Sequence, residues 1–539
     1  MFWAVLCWAI GLTLAFLPWQ ANVLVAAFAG APLLARAFSG PYAFAPFTSG
    51  KTAVKPLKRY MPWVYLALLL WNVGATWWVW NSTAAGATAA FVLNALFQLL
   101  PWWAMRTVQR RKPGSLVWPL MTWVAGQVAW EHLHMHWDLS WSWLNLGNAL
   151  AFQHPLAQWY SITGTLGGSL WLWSCNALLA YTLIRWQQYA VAARNKQVVL
   201  TVLAWAVPIC ISLVMYFSTS PSQPQTEVVV VQPNIDPYLE KFSGGREGAQ
   251  LQVQKMVELS TPLLTDSTAF LLWPETSIPY PIMVDADAPA NDPVVQNLLA
   301  WLQRYPHTQL VAGINTYRLL NGPALQADPN AKPEYITYNS AIALQYGTAP
   351  RLYHKSRLVP GVEQLPYPEL FSLLGPLAID LGGVVGSLGK QDTASVFAQQ
   401  NTMARTAPII CYESIYGSWV GQFARSGAQF ISIITNDAWW GNTPGHVQHY
   451  HYAKLRAIEQ RQWVARSANT GISGFINNRG DDVVTRTDYN VPAALKQKVG
   501  LSDSTTVYAL LGDALGYMAV AATLLLLVLS RVMTGTKTS

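Results

Sequence analysis

The chain shows two different patterns of hydrophobic and polar positions. Before residue 221, and again near the C-terminus, apolar residues continue for about the 20 positions that a transmembrane helix needs. We predict eight such helices, seven before the middle of the chain and one after it, within residues 2–17, 22–38, 62–80, 84–105, 116–132, 164–184, 198–217 and 507–530.

The stretch between the seventh and eighth helices has the pattern of a water-soluble α/β domain. Short apolar runs that end in turn residues are typical of buried strands, and they occur within residues 226–235, 269–275, 308–315, 338–344, 407–413 and 430–437. Helix-like stretches separate several of these runs, within residues 251–264, 293–304 and 446–463. This order predicts an α/β fold in which helices cover a sheet.

These patterns divide the chain into three parts. Residues 1–220 are predicted to form a seven-helix transmembrane region, residues 221–506 a soluble domain, and residues 507–539 a C-terminal transmembrane helix with a tail. Composition agrees, because 11% of the 539 residues are charged and 52% are hydrophobic, whereas soluble proteins carry about 25% charged residues. We expect most of the 27 tryptophans to be anchors at the membrane surface.

The net charge of +8 does not indicate a nucleic-acid-binding protein. The soluble domain has 20 Lys and Arg against 23 Asp and Glu, and the rest of the chain has 14 against 3. The basic excess therefore lies in short loops between apolar segments, where membrane topology explains it.

The loops after the second, fourth and sixth predicted helices carry basic residues, whereas those after the first, third and fifth carry none. The first of these basic loops holds Lys51, Lys55, Lys58 and Arg59. Because basic loops stay in the cytoplasm, we predict that both termini are cytoplasmic and that residues 221–506 lie outside the cytoplasm.

Three residues at the ends of predicted strands could form one reactive site. Glu275 follows one buried run, Lys355 follows another, and Cys411 ends a third. Polar residues just beyond such strands meet at one edge of an α/β sheet. A carboxylate can take the proton of a thiol whose pKa is ordinarily about 8.5, and an ammonium can stabilise the thiolate and an oxyanion. Composition alone leaves open that Cys411 is instead a small buried hydrophobe.

The order and spacing of this trio resemble the nitrilase superfamily. Its intervals here are 80 and 56 residues, and the flanking words "WPE", "YNS", "HKSRLVP" and "CYE" match that superfamily, as do "NDAWWG", "RAIEQ" and "NTGISG". With membrane helices on both sides, the whole chain resembles the apolipoprotein N-acyltransferase family. One departure is the loop "VPGVEQLP", which lacks the usual aromatic residue before its glutamate.

The resemblance implies an α-β-β-α sandwich for residues 221–506, lying in the periplasm and held in a bacterial inner membrane. It implies that Cys411 takes an acyl chain from a phospholipid, expected to be phosphatidylethanolamine, as a thioester. Glu275 would be the base and Lys355 would stabilise the oxyanion. Glu363, Tyr412 and Glu413 would support them. The acceptor would be the α-amine of diacylglyceryl-cysteine in an apolipoprotein, and the enzyme would act as a monomer without cofactor or metal.

Other interpretations remain open at this stage. The same domain could use water and act as a membrane-anchored amidase of the nitrilase type. A transporter with an external domain would need ionisable residues within its helices, and apart from residues such as Asp513 these are scarce.

The histidines form two clusters in the sequence. His132, His134 and His136 alternate as zinc or copper ligands sometimes do, although an interfacial loop is the favoured interpretation. His446, His449 and His451 follow "NDAWWG", where a role at the substrate entrance is the less favoured alternative. Trp439 and Trp440 are candidates for contact with lipid chains.

Overall fold

The computed structural model describes residues 1–18, 21–39, 60–186, 190–220, 224–241, 243–320, 334–367 and 387–532. The chain forms two compact units, one comprising Met1–Thr219 with Leu511–Ser539 and the other Ser220–Leu510. The basic residues Lys51, Lys55, Lys58 and Arg59 lie outside the described residues.

The first unit is helical. Its α-helices, among the described residues, are Phe2–Ala15, Asn22–Phe28, Ala31–Ser39, Met61–Thr76, Ala84–Phe97, Leu100–Arg111, Val117–Leu133, Tyr160–Arg185, Val191–Ser218 and Ala514–Val532. Three further segments of the described residues, Trp77–Asn81, Ser142–Leu144 and Leu146–Leu156, are 3-10 helices.

Every one of the eight apolar segments is helical, but three of them are interrupted. The second divides around residues 29–30, just before Pro32, and the fourth divides before Pro101. Proline lacks the backbone N–H that a continuous helix needs, so it is tolerated only in the first turn of the next helix. The eighth begins as a separate short helix, Val507–Leu511.

Three helical stretches of the described residues are long and apolar enough to cross a membrane. They are Ala84–Arg111, Val191–Ser218 and Ala514–Val532. The helices Phe2–Ala15 and Asn22–Phe38 are apolar but shorter.

Tryptophans form much of the core of the first unit. The Trp8 ring is stacked on Trp173 at 5.7 Å and meets Trp102 edge-on at 5.5 Å. The expectation that tryptophans are mostly surface anchors is therefore wrong for the following residues, which are fully buried: Trp8, Trp78, Trp102, Trp123, Trp143 and Trp173. Indole rings bury a large apolar area, and their edge-to-face contacts add further stabilisation.

The second unit is built on two β-sheets. Its strands, in chain order, are β1 (Gln225–Gln232), β2 (Thr268–Leu272), β3 (Val284–Asp285), β4 (Gln309–Leu319), β5 (Tyr335–Leu344), β6 (Arg351–His354), β7 (Phe397–Ala398), β8 (Arg405–Ile410), β9 (Phe430–Thr435), β10 (Val464–Ala468), β11 (Gly474–Ile476) and β12 (Ala493–Gly500). The first sheet has the order β12, β1, β2, β4, β5, β6, with β3 beside β4. The second has the order β11, β10, β9, β8, β7.

The two sheets pack face to face and helices cover their outer faces. The Phe270 and Phe430 rings meet edge-on at 5.1 Å across the interface, and the Ser467 hydroxyl donates to the Val231 carbonyl at 2.7 Å. The helices Gly245–Ser260 and Pro293–Leu302 contact the first sheet, and Gly417–Arg425 and Pro444–Gln460 contact the second. This is the expected α-β-β-α sandwich.

All six predicted strands and all three predicted helices of this domain are present. Six strands were not predicted: β3, β6, β7, β10, β11 and β12. The burial of β6 and β12 is intermittent and leaves no continuous apolar run, and β10, although fully buried, contains Arg466 and Ser467. In the centre of the first sheet, by contrast, β1 and β2 are buried on both faces, as their Val- and Leu-rich sequences require.

Candidate active site

Three strands of the second unit end close to one another and deliver the predicted trio. Glu275 lies three residues beyond β2, Lys355 follows β6 directly, and Cys411 follows β8 directly. The Lys355 Nζ atom lies 3.0 Å from Glu275 Oε1 and 2.8 Å from Glu363 Oε1. Cys411 interacts electrostatically with both Glu275 and Lys355. The sequence spacing therefore corresponds to a real cluster of side chains.

Asn339 holds the two carboxylates of this cluster together. Its Nδ2 group donates to Glu275 Oε1 at 2.8 Å and to Glu363 Oε1 at 2.9 Å. Asn339 belongs to the "YNS" word in β5, and the Lys355 backbone N–H donates to its carbonyl at 2.8 Å. The "YNS" motif indicates the family in the sequence, but it does not predict that Asn339 bonds both Glu275 and Glu363.

Glu363 lies where its spacing from Lys355 placed it, despite the missing aromatic residue. Its Oε1 atom accepts from Lys355, while its Oε2 atom accepts from the Val359 backbone N–H at 2.8 Å. The second bond fixes the carboxylate to the start of its own loop. A carboxylate held on both oxygens is oriented toward the lysine.

Close approach of the Glu275 segment to the sheet depends on Gly313 in β4. A Cβ atom at this position would lie 2.4 Å from the Thr276 backbone nitrogen and 2.6 Å from the Glu275 Cα atom. Because real Cβ atoms do not come this close, any larger side chain would push the Glu275 segment outward.

Cys411 occupies a sharp turn between β8 and a short 3-10 helix, Cys411–Ile415. Its φ angle is 50°, in the left-handed region that costs an L-residue of this kind about 1–2 kcal/mol. Whereas Glu275 and Lys355 are 6% and 1% exposed, the thiol residue is partly exposed. The turn thus places the thiol beside a buried carboxylate and a buried ammonium.

Glu413 connects the cysteine turn to the end of the lysine strand. Its Oε1 atom accepts from the Tyr353 hydroxyl at 2.6 Å and from the Ser356 backbone N–H at 2.7 Å. Its Oε2 atom accepts from the Ile410 backbone N–H at 2.9 Å, one residue before the nucleophile. Tyr412 is buried and its ring meets Tyr416 edge-on at 5.4 Å. Glu413 therefore holds the cysteine turn to the end of β6, whereas Tyr412 packs against Tyr416.

A second buried lysine lies beside the trio and was not predicted. Lys241 is 3% exposed, and its Nζ atom donates to the Glu275 backbone carbonyl at 3.3 Å. It also interacts electrostatically with Cys411. Burial lowers its pKa to about 8, although the Glu275 and Cys411 charges act in the opposite direction. The word "LEKF" that contains it has no feature that separates a buried lysine from a solvated one.

Burial and neighbouring charges set the pKa values, and therefore the charge states, of Glu275, Lys355 and Cys411. Burial would raise the pKa of the Glu275 carboxyl, but the Lys355 ammonium and the Asn339 hydrogen bond hold it below its usual value. Burial would likewise lower the pKa of Lys355, and the neighbouring carboxylates hold it well above its ordinary value. Burial and the Glu275 charge raise the pKa of the Cys411 thiol. At neutral pH the trio is therefore a carboxylate, an ammonium and a thiol.

A buried ionic network lies behind the cysteine turn. The Ser414 hydroxyl donates to the Cys411 carbonyl at 2.8 Å, and its oxygen lies 2.9 Å from His449 Nε2. His449 Nδ1 lies 2.8 Å from Asp437 Oδ1, and Arg466 donates to Asp437 Oδ2 at 2.8 Å. Of the second histidine cluster, His449 thus has a structural place. It is fully buried, so it does not line a substrate entrance.

Trp439 and Trp440 are partly exposed at the turn that follows β9. The Trp439 carbonyl accepts from the Tyr238 hydroxyl at 3.1 Å, and the two rings meet edge-on at 5.3 Å. Trp440 meets His449 edge-on at 5.5 Å. Trp439 is therefore linked to the same segment that carries Lys241.

Family models match both units of the chain. The carbon-nitrogen hydrolase model matches residues 227–509, which include the whole trio. The model of the apolipoprotein N-acyltransferase N-terminal domain matches residues 21–178. An apolipoprotein N-acyltransferase of Chlorobaculum tepidum is 30% identical over 422 residues, 76% of either chain. The chain belongs to the apolipoprotein N-acyltransferase family.

Further relatives agree with this membership. The apolipoprotein N-acyltransferase of Bradyrhizobium diazoefficiens is 30% identical over 75% of this chain and 72% of the relative, and that of Pseudomonas syringae pv. tomato is 25% identical over 86% and 87%. Among solved structures, an amidase from Nesterenkonia sp. AN1 matches at 16% identity and a TM-score of 0.36, covering 56% of this chain and 99% of the amidase. As a family member, the chain is an acyltransferase with a nitrilase-type domain.

Proposed function

We propose that this apolipoprotein N-acyltransferase works by a ping-pong mechanism through a thioester on Cys411, with Glu275 as general base and Lys355 as the oxyanion-stabilising cation. The donor is a membrane phospholipid, for which we propose phosphatidylethanolamine, and the acceptor is the α-amine of a diacylglyceryl-cysteine. The buried Lys355–Glu275 ion pair beside the thiol of Cys411, a partly exposed residue, is the observation that carries this proposal.

In the first half-reaction the thiol proton passes to the Glu275 carboxylate as the Cys411 sulfur attacks the sn-1 ester carbonyl. The negative charge moves to the carbonyl oxygen of the tetrahedral intermediate. When the ester C–O bond breaks, the leaving lysophospholipid oxygen takes the proton back from Glu275, and a thioester remains. Because the Cys411 pKa is raised, the thiol loses its proton only as the new C–S bond forms.

Lys355 has the hydrogen-bonding capacity that the oxyanion requires. An ammonium group has three N–H donors, and Glu275 Oε1 and Glu363 Oε1 account for two of them. No other acceptor among the described residues bonds this ammonium, which leaves the third N–H for the substrate oxygen. Glu363 and Asn339 therefore fix the direction of the ammonium, and such preorganised donors are worth several kcal/mol of transition-state stabilisation.

In the second half-reaction the lipoprotein amine attacks the thioester carbonyl and the Cys411 thiolate leaves. Glu275 receives the amine proton, which is then returned to the thiolate. An amide and the free enzyme result. The positive charge of Lys241, which donates to the Glu275 carbonyl, lies near the sulfur and stabilises the thiolate as it departs.

Exposed apolar side chains next to the site residues suit an amphiphilic substrate. Tyr238 and Leu239 precede Lys241, Tyr280 follows Glu275, and Val362 precedes Glu363, and all four are exposed. These four side chains lie near the site residues along the chain, and exposed apolar patches are typical of lipid or protein contacts. A water-soluble amidase substrate would not require them, so this distribution favours acyl transfer over hydrolysis.

We further propose a multi-spanning topology in a bacterial inner membrane. Eight helical segments, basic loops on alternate sides and three helices of spanning length support this arrangement. It puts both termini in the cytoplasm and residues 221–506 in the periplasm, as a monomer.

The experiment is intact-mass spectrometry of the detergent-purified enzyme with phosphatidylethanolamine, then with a diacylglyceryl-cysteinyl peptide that has a free amine. We expect one acyl adduct, absent in Cys411→Ala, that persists in water and is lost to the peptide. Cys210→Ala is the matched control, since that cysteine lies in the helix Val191–Ser218 of the other unit. An adduct cleared by water without acyl peptide would make the enzyme a hydrolase, and an unchanged adduct in Cys411→Ala would overturn the nucleophile.

A further inference from the structure

The end of the helix Val117–Leu133 and the start of the helix Ala514–Val532 bring three potential metal ligands together within the first unit. One ring nitrogen each of His132 and His136 and one carboxylate oxygen of Asp513 all lie within 4.8 Å of one another. Two histidines and a carboxylate are a common ligand set for zinc and related divalent ions.

The tautomer of His136 leaves a ligand atom facing the carboxylate. Its Nδ1 atom lies 2.7 Å from the His132 carbonyl oxygen. A carbonyl only accepts, so Nδ1 carries the proton and Nε2 has the lone pair in the neutral ring. Metal-binding histidines usually donate their other ring N–H in this way. The cluster thus includes the supporting hydrogen bond of a metal site.

The Nε2 atom of His136 lies 3.9 Å from Asp513 Oδ2. This distance is too long for a direct hydrogen bond. Two atoms bound to the same tetrahedral zinc ion at about 2.0–2.2 Å each lie about 3.3–3.6 Å apart. The His136–Asp513 pair would therefore close by about half an ångström on binding, and the widest pair in the cluster, which lies within 4.8 Å, by at most about 1.5 Å.

His132 supplies the second nitrogen from a buried position. It is 2% exposed, and no described residue forms a hydrogen bond with its Nδ1 atom. An unbonded polar atom in such a place costs about 1–3 kcal/mol, and coordination of a cation by Nδ1 would remove that cost.

Gly516 allows the two helices to approach closely enough for the cluster to form. A Cβ atom at Gly516 would lie 2.3 Å from His132 Cγ and 2.4 Å from His132 Nδ1. The Asp513 carbonyl accepts the Gly516 backbone N–H at 2.8 Å, so the carboxylate and the glycine belong to the same first turn. A larger residue at 516 would displace His132 from the cluster.

His134 does not belong to this group. Its ring stacks on Trp130 at 4.7 Å, and its Nδ1 atom accepts from the Trp137 indole N–H at 2.8 Å. The alternating histidines of the sequence thus separate into one packed side chain and two that meet Asp513.

We propose that His132, His136 and Asp513 bind one divalent cation of the zinc class, which joins the end of the helix Val117–Leu133 to the start of the helix Ala514–Val532. With three protein ligands, a water molecule would complete a four-coordinate site. This proposal is independent of the acyl-transfer mechanism, because none of the three residues has a part in it.

The test uses full-length enzyme purified in detergent without a histidine tag, loaded with Zn²⁺ and dialysed. Metal is measured by inductively coupled plasma mass spectrometry. We expect about one equivalent per chain in the wild type, and a loss of at least tenfold in His136→Asn and in Asp513→Asn. His134→Asn, and His307→Asn at an exposed position in the other unit, should keep the metal. Wild-type protein that holds no more zinc than the His136→Asn/Asp513→Asn double variant would overturn the proposal.

Two further measurements cover variants that fold poorly. Co²⁺ added to the wild type should give the visible absorption of a four-coordinate nitrogen–oxygen site, and the thermal unfolding midpoint should rise with Zn²⁺ but not with Ca²⁺, which prefers oxygen ligands. Gly516→Ala should weaken both effects without removing a ligand. A wild-type protein with neither the Co²⁺ spectrum nor the Zn²⁺-dependent shift would overturn the metal site.

Discussion

The Lys355 ammonium lies 3.0 Å from the Glu275 carboxylate, and both side chains are buried. The same ammonium lies 2.8 Å from the Glu363 carboxylate, so one cation forms ion pairs with two carboxylates. Removal of the lysine alone would leave two uncompensated carboxylates and cost about 3–5 kcal/mol. Informative variants therefore change the carboxylates, or their hydrogen bonds, rather than the cation.

Glu275→Gln should retain the fold and lose thioester formation. Glutamine keeps an oxygen that can accept from Lys355 and Asn339, but it cannot take the Cys411 proton. We expect the rate of acyl-enzyme formation to fall by about 10²–10⁴, the usual contribution of a general base. Single-turnover mass spectrometry measures it. Glu363→Gln is the matched control. It should lower the rate of acyl-enzyme formation only about tenfold, because that carboxylate contacts Lys355 rather than the thiol. Equal losses in the two variants would contradict the assignment of the base.

The pH dependence of acyl-enzyme formation should reflect the lowered pKa of Glu275. The base is ionised above its folded pKa, which lies below the ordinary value of 4.5. The rate should therefore change little between pH 7 and pH 5 and fall only in stronger acid. Asn339→Leu removes a donor to the carboxylate, so its acid limb should move toward neutral pH. Identical acid limbs in the two proteins would mean that Asn339 does not tune the base.

Glu275 and Cys411 could be predicted from sequence because each follows a recognisable apolar run, whereas Lys355 follows the short strand β6 and was identified by its spacing and flanking words. Lys241 and Asn339 could not be assigned roles in this way. Lys241 is buried only because the chain beyond β1 folds over the segment that carries Glu275, and no local pattern encodes that contact. The core tryptophans were misjudged for a similar reason: an indole in an apolar helix is equally suited to a membrane surface and to a helix interface.

Lys241→Met should make the protein more stable and less active. Burial lowers the Lys241 pKa from 10.5 to about 8, so the folded state binds this proton less tightly than the unfolded chain. Its charge therefore destabilises the fold below pH 8, and this cost disappears as the pH rises to 10.5. After subtraction of the lost hydrogen bond, we expect a gain of about 2 kcal/mol at pH 7.

The rate of acyl transfer by the same variant should fall about tenfold. A cation beside the Cys411 sulfur lowers the pKa of the thiol by about one unit, which corresponds to a tenfold change in the stability of the thiolate. Chemical denaturation and single-turnover kinetics measure the two effects. Lys390→Met, at an exposed position, should change neither. A variant that gains stability without losing rate would give Lys241 no part in the reaction.

Gly313→Ala should displace the base. The added methyl group would lie 2.4 Å from the Thr276 nitrogen and 2.6 Å from the Glu275 Cα atom, which requires the Glu275 segment to move. We expect a loss of about 1–3 kcal/mol in stability and a loss of at least tenfold in acyl-enzyme formation. Ala341→Gly, at the position paired with Gly313 in β5, is the control and should affect stability alone. Wild-type kinetics in Gly313→Ala would show that the site tolerates the shift.

Glu413→Gln should separate the cysteine turn from the lysine strand. The carboxylate accepts from Tyr353, Ser356 and Arg357 through one oxygen and from Ile410 through the other. An amide replaces one of these acceptors with N–H groups that face other donors. An unsatisfied buried donor costs about 1–3 kcal/mol, and more where a charge is lost, so we expect the second unit to lose about 2–4 kcal/mol.

Because Glu413 fixes positions rather than touching substrate, its loss should lower the rate of thioester formation while leaving the acid limb of the pH profile unchanged. Tyr353→Phe is the milder control: it removes one of the donors to the carboxylate and should cost about 1 kcal/mol. Comparison of unfolding midpoints with single-turnover rates separates the two roles. If Glu413→Gln were as stable as the wild type yet formed no thioester, Glu413 would have to act on the reacting atoms themselves, and the brace between Cys411 and Lys355 would not be its function.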